Sequence, residues 1–233
     1  MAIGNNIYNF IVKVGLKFLG FCFPKIHMSI PLKPSDRFLE YPFIFHHLPI
    51  EKNKKILDIG CSGSFFPLIV ASLGYDTVAC DIRPYEILNN IKFDNFRFFQ
   101  RDICKNPFPE ESFDVVTCIS VLEHVGLGGR YGVEDDPFGD FKMFEEIRRV
   151  LKPGGLALAT LPYGVAEVFA PYHRIYDLAR IEKMTDGFEV IERKFYSFDV
   201  KGDWIECSAQ EGQLKRGSQN KYGLAMFNLK KIA

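Results

Sequence analysis

Short apolar runs rich in β-branched and aromatic residues recur along the chain, each broken by a glycine-bearing or polar turn. They predict strands near 55–59, 77–81, 96–100, 114–119 and 156–161. Between them, apolar positions at helical spacing predict helices near 64–73, 84–90 and 139–151. Pro153, Gly154 and Gly155 are expected to stop the last of these before the fifth strand. A further helix is expected near 174–184, a sixth strand near 188–196 after Gly187, and a seventh near 223–230. Strands alternating with helices make an α/β class with a parallel sheet. No internal repeat and no low-complexity segment interrupts this order.

The first 23 residues follow a different pattern. Ile7, Phe10, Ile11, Val14, Phe18 and Phe21 share one helical face, and Asn6, Asn9, Lys13 and Lys17 line another. The lysines leave the apolar run too short to span a bilayer, and no small-residue cleavage site follows. Two readings stay open: a helix packed on the domain or capping its site, or an interfacial anchor giving peripheral membrane contact. Prolines 24, 31, 34 and 42 predict an irregular connection. The expected organisation is an N-terminal helical or cap segment over 1–50 and one domain over 51–233.

The chemistry concentrates at the end of the first strand. Asp58 precedes a tight turn with Gly60 and Gly63, and an apolar helix follows at once. This is the layout of a nucleotide-type cofactor site at the carboxyl edge of a parallel sheet. Asp81 ends the next strand 23 residues after Asp58, near the ~20 expected of a ribose-binding acid. A dinucleotide loop needs a glycine where Ser62 stands, and Asp58 would repel a phosphate. A cofactor with ammonium and sulfonium groups and no phosphate suits these residues better.

The 58–63 segment resembles motif I, D-x-G-x-x-G, of the class I methyltransferases that depend on S-adenosyl-L-methionine (SAM). Residues 98–103 resemble that family's third strand with its terminal acid. Residues 113–125 resemble its motif IV, with the Leu122-Glu123-His124 sequence frequent in the small-molecule branch. Residues 145–158 resemble its R-x-L-K-P-G-G helix end and fifth strand. Together these matches span about 54–162. The resemblance implies a doubly wound, Rossmann-like, seven-stranded and mostly parallel sheet. Its last two strands would form an antiparallel closing hairpin, with 199–222 as the long connection.

The same resemblance implies the site. Backbone amides around Gly60, Cys61 and Gly63 would hold the methionine carboxylate, with Asp58 near the ammonium. Asp81 would take the ribose hydroxyls and Ile82 pack on adenine. Asp102 would accept from the adenine amino group beside Ile103, and Ser120 and Val121 would line the wall under the sulfonium. Each acid also has a plainer reading as a helix cap or solvated turn residue. His124 is the first candidate base for a hydroxyl acceptor and His173 the second, and both also read as structural histidines.

The loop 126–140 is unusually long and rich in glycine and acid, and long ordered loops are more often functional than idle. Its GLGRYGD-like sequence is similar to that of bacterial methyltransferases of unassigned substrate. Arg130, Tyr131, Asp135 and Asp136 are its candidate acceptor contacts, joined by Tyr163 and Arg174. A divalent ion on Asp135 and Asp136 is the weaker alternative, and His46-His47 is a poor metal pair because adjacent helical side chains diverge. No metal is therefore expected.

Composition narrows the class. Lysine plus arginine equals aspartate plus glutamate at 29 each in 233 residues, so no basic field recruits nucleic acid. The six cysteines are scattered without a CxxC pair, as buried groups in a reducing cytoplasm would be. The expected protein is a cytoplasmic SAM-dependent methyltransferase, peripheral at the membrane if residues 1–23 anchor it. Its acceptor would be a small polar molecule, a sugar or glycan-precursor hydroxyl. A methyltransferase on RNA or protein, a non-catalytic SAM-binding module and a dinucleotide oxidoreductase are the alternatives. The oligomeric state is not legible.

Overall fold

The computed structural model describes Val14 and residues 35–232, apart from 106, 130 and 201. The N-terminal helix and its anchor or cap reading therefore lie outside the described residues. The chain divides into two units, Met1–Pro42 and Phe43–Ala233.

In chain order the elements are α1 (Arg37–His47), β1 (Lys55–Ile59), α2 (Phe66–Ser72), β2 (Asp76–Asp81), α3 (Glu86–Asn89), β3 (Phe96–Gln100), β4 (Phe113–Ile119), α4 (Gly139–Val150) and β5 (Leu151–Tyr163). A small hairpin follows, β6 (Glu167–Phe169) and β7 (His173–Ile175). Then come α5 (Leu178–Met184), β8 (Phe188–Phe198), β9 (Trp204–Cys207), α6 (Ala209–Gln213) and β10 (Gly223–Lys231).

The main sheet has the order β3-β2-β1-β4-β5-β10-β8-β9. Strands β3, β2, β1, β4 and β5 are mutually parallel. The apolar runs of β1, β2 and β4 are buried on both faces, as a parallel sheet covered by helices requires, while the edge strand β3 is half-exposed. Strand β10 inserts antiparallel between β5 and β8. The crossover reverses between β1 and β4, which leaves a crevice at their carboxyl ends, where ligands of doubly wound sheets bind. The main core joins Leu57, Ile59, Val116 and Cys118 to Phe144 and Ile147 of α4, and a smaller one packs Ala71 and Leu88 against Ala79 and Phe96.

Four expectations change in detail. The sheet has eight strands, because the 199–222 connection contributes the edge strand β9. Residues 37–47 form a helix despite Pro42, where an irregular connection was expected. Strand β5 starts at Leu151, so the helix before it ends ahead of Pro153. The helix expected from 174 starts at Leu178, because Asp177 accepts the Arg180 amide at 2.8 Å and caps it. Residues 173–175 pair instead with β6.

Candidate active site at the carboxyl edge of the sheet

The turn after β1 needs its glycines. Gly60 has φ +68°, and a Cβ there would meet the Val121 methyl carbons at 2.5 Å. Gly63 has φ +64°, and its Cβ would fall 2.6 Å from the Tyr85 ring. Both positions combine a left-handed backbone with a close approach, so only glycine fits without strain. Between them Ser62 also has positive φ, 49°.

Asp81 ends β2 beside this turn and is largely buried. Its Oδ2 accepts the Ser62 amide at 2.9 Å and its Oδ1 accepts the Arg83 amide at 2.9 Å. A carboxylate offers about four lone-pair sites, so each oxygen can still take a hydroxyl. The residue read as the ribose acid thus also holds the glycine turn in place. Asp58 lies beneath that turn, buried, and its Oδ1 accepts from the Thr117 hydroxyl of β4 at 2.7 Å.

Cys61 is buried as well. Burial, and next the Asp58 carboxylate, push its thiol far up, so it packs rather than reacts. Cys61, Cys80, Cys104, Cys118 and Cys207 are all free thiols. Burial, and next the Asp81 carboxylate, raise Cys80 to about 12.

Ile82 is half-buried, and its carbonyl accepts from the Gln100 side-chain Nε2 at 3.2 Å. Asp102 is half-buried. One of its oxygens accepts the Cys104 amide at 3.0 Å, while Ile103 beside it is buried. At the end of β4, Ser120 has φ 50° and donates its amide to the Thr160 hydroxyl at 3.0 Å. That kink leads through Val121 into the single 3₁₀ turn Leu122–His124.

His124 Nδ1 lies 2.5 Å from the Tyr172 carbonyl oxygen. A carbonyl only accepts, so Nδ1 carries the hydrogen, and Nε2 is the basic nitrogen of the neutral ring. Nε2 lies 3.7 Å from the buried Glu123 carboxylate. The Tyr131 ring sits 5.8 Å from the His124 ring, edge-on.

Several candidate acceptor contacts are engaged elsewhere. Tyr163 is fully buried and donates its hydroxyl to the Ala209 carbonyl at 2.8 Å, so it belongs to the core. His173 lies in β7, buried, with its ring 5.4 Å from Phe169 and 4.9 Å from Tyr222. It therefore sits in a strand of the small hairpin. Arg174 is buried and donates to the Val125 carbonyl at 2.7 Å, where it clamps the turn after His124.

Asp135 accepts the Gly128 amide at 2.6 Å. Asp136 accepts from the Phe138 amide at 3.0 Å and from Lys142 Nζ at 2.6 Å. The two carboxylates therefore fold the loop, and among the described residues no cluster of three or more His, Cys, Asp or Glu is placed to hold a metal ion. Arg130 lies outside the described residues.

Sequence reading missed the loop's main anchor. Asp140 is fully buried and takes a bidentate fork from Arg180, Nε at 3.0 Å and Nη2 at 2.8 Å, with Arg174 at 3.9 Å. It also missed Arg83 and Tyr85, which meet each other and Ser62 beside the turn, although Arg83 stands two residues after Asp81.

The DUF268 family model, described as "Caenorhabditis protein of unknown function", matches residues 98–232. The chain belongs to this family. Among curated relatives of this DUF268 chain, a sterol 24-C-methyltransferase of Gibberella zeae is 32% identical over 123 residues, covering 49% of this chain and 29% of its own. A ubiquinone biosynthesis O-methyltransferase of Pseudomonas aeruginosa is 29% identical over 164 residues, 65% of this chain and 62% of that one. An uncharacterized protein of Methanocaldococcus jannaschii is 30% identical over 155 residues, 60% of this chain and 58% of that one. The chain thus spans less than two thirds of the length of each.

A solved Burkholderia thailandensis 1,6-didemethyltoxoflavin-N1-methyltransferase, with S-adenosylhomocysteine (SAH) bound, superposes with a TM-score of 0.62 at 12% identity, over 98% of this chain and 90% of that one. That likeness establishes the class I methyltransferase fold.

Proposed function

We propose that this DUF268 chain is a SAM-dependent methyltransferase that methylates a hydroxyl of a small polar acceptor, a sugar or glycan precursor. One observation carries the cofactor half of this reading. The Gly60–Gly63 turn is pinned to Asp81 through the Ser62 amide, which leaves an open backbone cradle beside a carboxylate with spare acceptor capacity. A ribose fits that pair, and the Asp58 carboxylate beneath the turn suits a cationic cofactor. When bound, SAM supplies an electrophilic methyl group.

The chain's residues supply the rest. His124 Nε2 is the nitrogen that can accept the acceptor's hydroxyl proton, because Nδ1 is held by the Tyr172 carbonyl. Glu123 at 3.7 Å stabilises the imidazolium that results. Arg174 holds the following turn through the Val125 carbonyl, which fixes the base relative to the crevice. Alignment of acceptor and base then lowers the barrier. A titrating nitrogen with a fixed tautomer favours a hydroxyl over an acidic carbon. The absence of net charge disfavours an RNA acceptor.

Deuteromethyl SAM incubated with the protein and a metabolite extract tests the reading by mass spectrometry. A labelled small polar product is expected, and its yield should fall by roughly 10²–10⁴ in His124→Gln. Label found only on RNA or protein would contradict the acceptor class.

A further inference from the structure

Arg83 connects the cofactor turn to the acceptor loop. Its guanidinium lies 5.4 Å from the centre of the Tyr85 ring and 5.2 Å from that of Tyr131. Its Nη2 donates to the Ser62 hydroxyl at 3.2 Å and also to the Tyr85 hydroxyl. The side chain is exposed. Arg97, Arg149, Arg174 and Arg180 lie within 4.0 Å of a carboxylate, whereas Arg101, on the next strand end, meets a carbonyl and the Phe99 ring instead. Among the described residues, the Arg83 guanidinium has no carboxylate partner.

A guanidinium has five donors in a planar fork that matches a carboxylate or phosphate. Here the fork is steadied by aromatic rings and two hydroxyls, and no carboxylate among the described residues pairs with it. Tyr131 extends the line to the His124 ring, 5.8 Å further on. One tyrosine ring therefore separates an exposed cation from the candidate base. Such a spacing suits a molecule about one sugar ring long, with an anionic group at one end and a hydroxyl at the other. The face of a tyrosine ring between them offers an apolar platform for the sugar's C–H groups.

We propose that Arg83 is the anion-recognising residue of the acceptor site and that the acceptor is an acidic sugar, a sugar carrying a carboxylate or a phosphate. This rests on the methyltransferase reading and narrows its substrate class. The anionic group pairs with Arg83, the ring lies along Tyr131, and the reacting hydroxyl points to His124.

Calorimetry on the full chain loaded with SAH tests the assignment, with glucuronate, glucose 1-phosphate and glucose as probes. At least one anionic sugar should bind about tenfold or more tighter than glucose. Whichever of the two binds tighter identifies carboxylate or phosphate as the group read. Arg83→Gln should erase that preference and leave SAH affinity within about twofold, while Arg83→Lys, which keeps charge but not the fork, should retain part of it. The proposal is overturned if neither anionic sugar outbinds glucose. It is also overturned if Arg83→Gln weakens SAH itself by about tenfold, which would place Arg83 in the cofactor site. Failure of the wild-type chain to bind SAH would instead remove the methyltransferase reading on which it stands.

Discussion

The Asp81 carboxylate accepts the Ser62 amide at 2.9 Å, so the acid at the end of β2 shapes the glycine turn after β1. If Asp81 takes the cofactor ribose as proposed, one side chain couples cofactor recognition to loop geometry. Asp81→Ala should weaken SAH binding by about 2–3 kcal/mol, through lost charge-assisted hydrogen bonds and a loosened turn. Asp81→Asn keeps one acceptor and should lose less. Calorimetry on both variants checks this, and equal affinity in wild type and alanine variant would show that Asp81 does not serve the cofactor.

Gly60→Ala should destabilise the fold by about 1–3 kcal/mol, since it meets both the left-handed backbone cost and the Val121 methyls. Val121→Ala in that background removes the contact at 2.5 Å but not the backbone cost. Urea melts of both variants should therefore show partial recovery only. Full recovery would mean that the turn tolerates an L-residue at this φ.

Much of this was legible in the sequence because parallel strands buried on both faces write continuous apolar runs, as residues 55–59 do for β1. Residues 96–100 fell on β3 through their aromatic residues, although that edge strand is half-exposed. The glycine turn was legible because its residue types are dictated by positive φ. Strand β9 was not, since an edge strand is half-exposed and alternates weakly, as Ile205 and Glu206 do. The partners of Tyr163, Arg174 and Asp135 were not legible, because a polar residue near a motif carries no trace in sequence of the Ala209, Val125 and Gly128 backbone groups that it meets in the fold. Asp140 was counted among the loop acids, and nothing in its neighbours reveals that two arginines 34 and 40 residues later converge on it.

Asp140→Ala should therefore behave unlike a loop substitution. It leaves the buried Arg174 without its carboxylate and should cost about 3–5 kcal/mol. A urea melt displaced by no more than the ~0.5 kcal/mol typical of surface changes would refute the anchor.

Asp136 gives the loop a pH dependence. The Lys142 hydrogen bond, and then the Phe138 amide, hold its carboxyl below the usual range. A folded value below the unfolded one stabilises the protein above the unfolded pKa, ~3.9, and that contribution fades as pH falls through the folded value. Thermal melts of wild type and Asp136→Asn should differ at neutral pH and converge as pH falls through the lowered folded value. A difference independent of pH would show that the Lys142 pair is not the source.

The most direct test of the account is cofactor choice. Calorimetry of the wild-type chain against SAH, SAM and NAD separates the glycine turn described here from a dinucleotide loop. The account predicts micromolar or tighter binding of SAH and SAM and none of NAD. Binding of NAD with no response to SAH or SAM would contradict it.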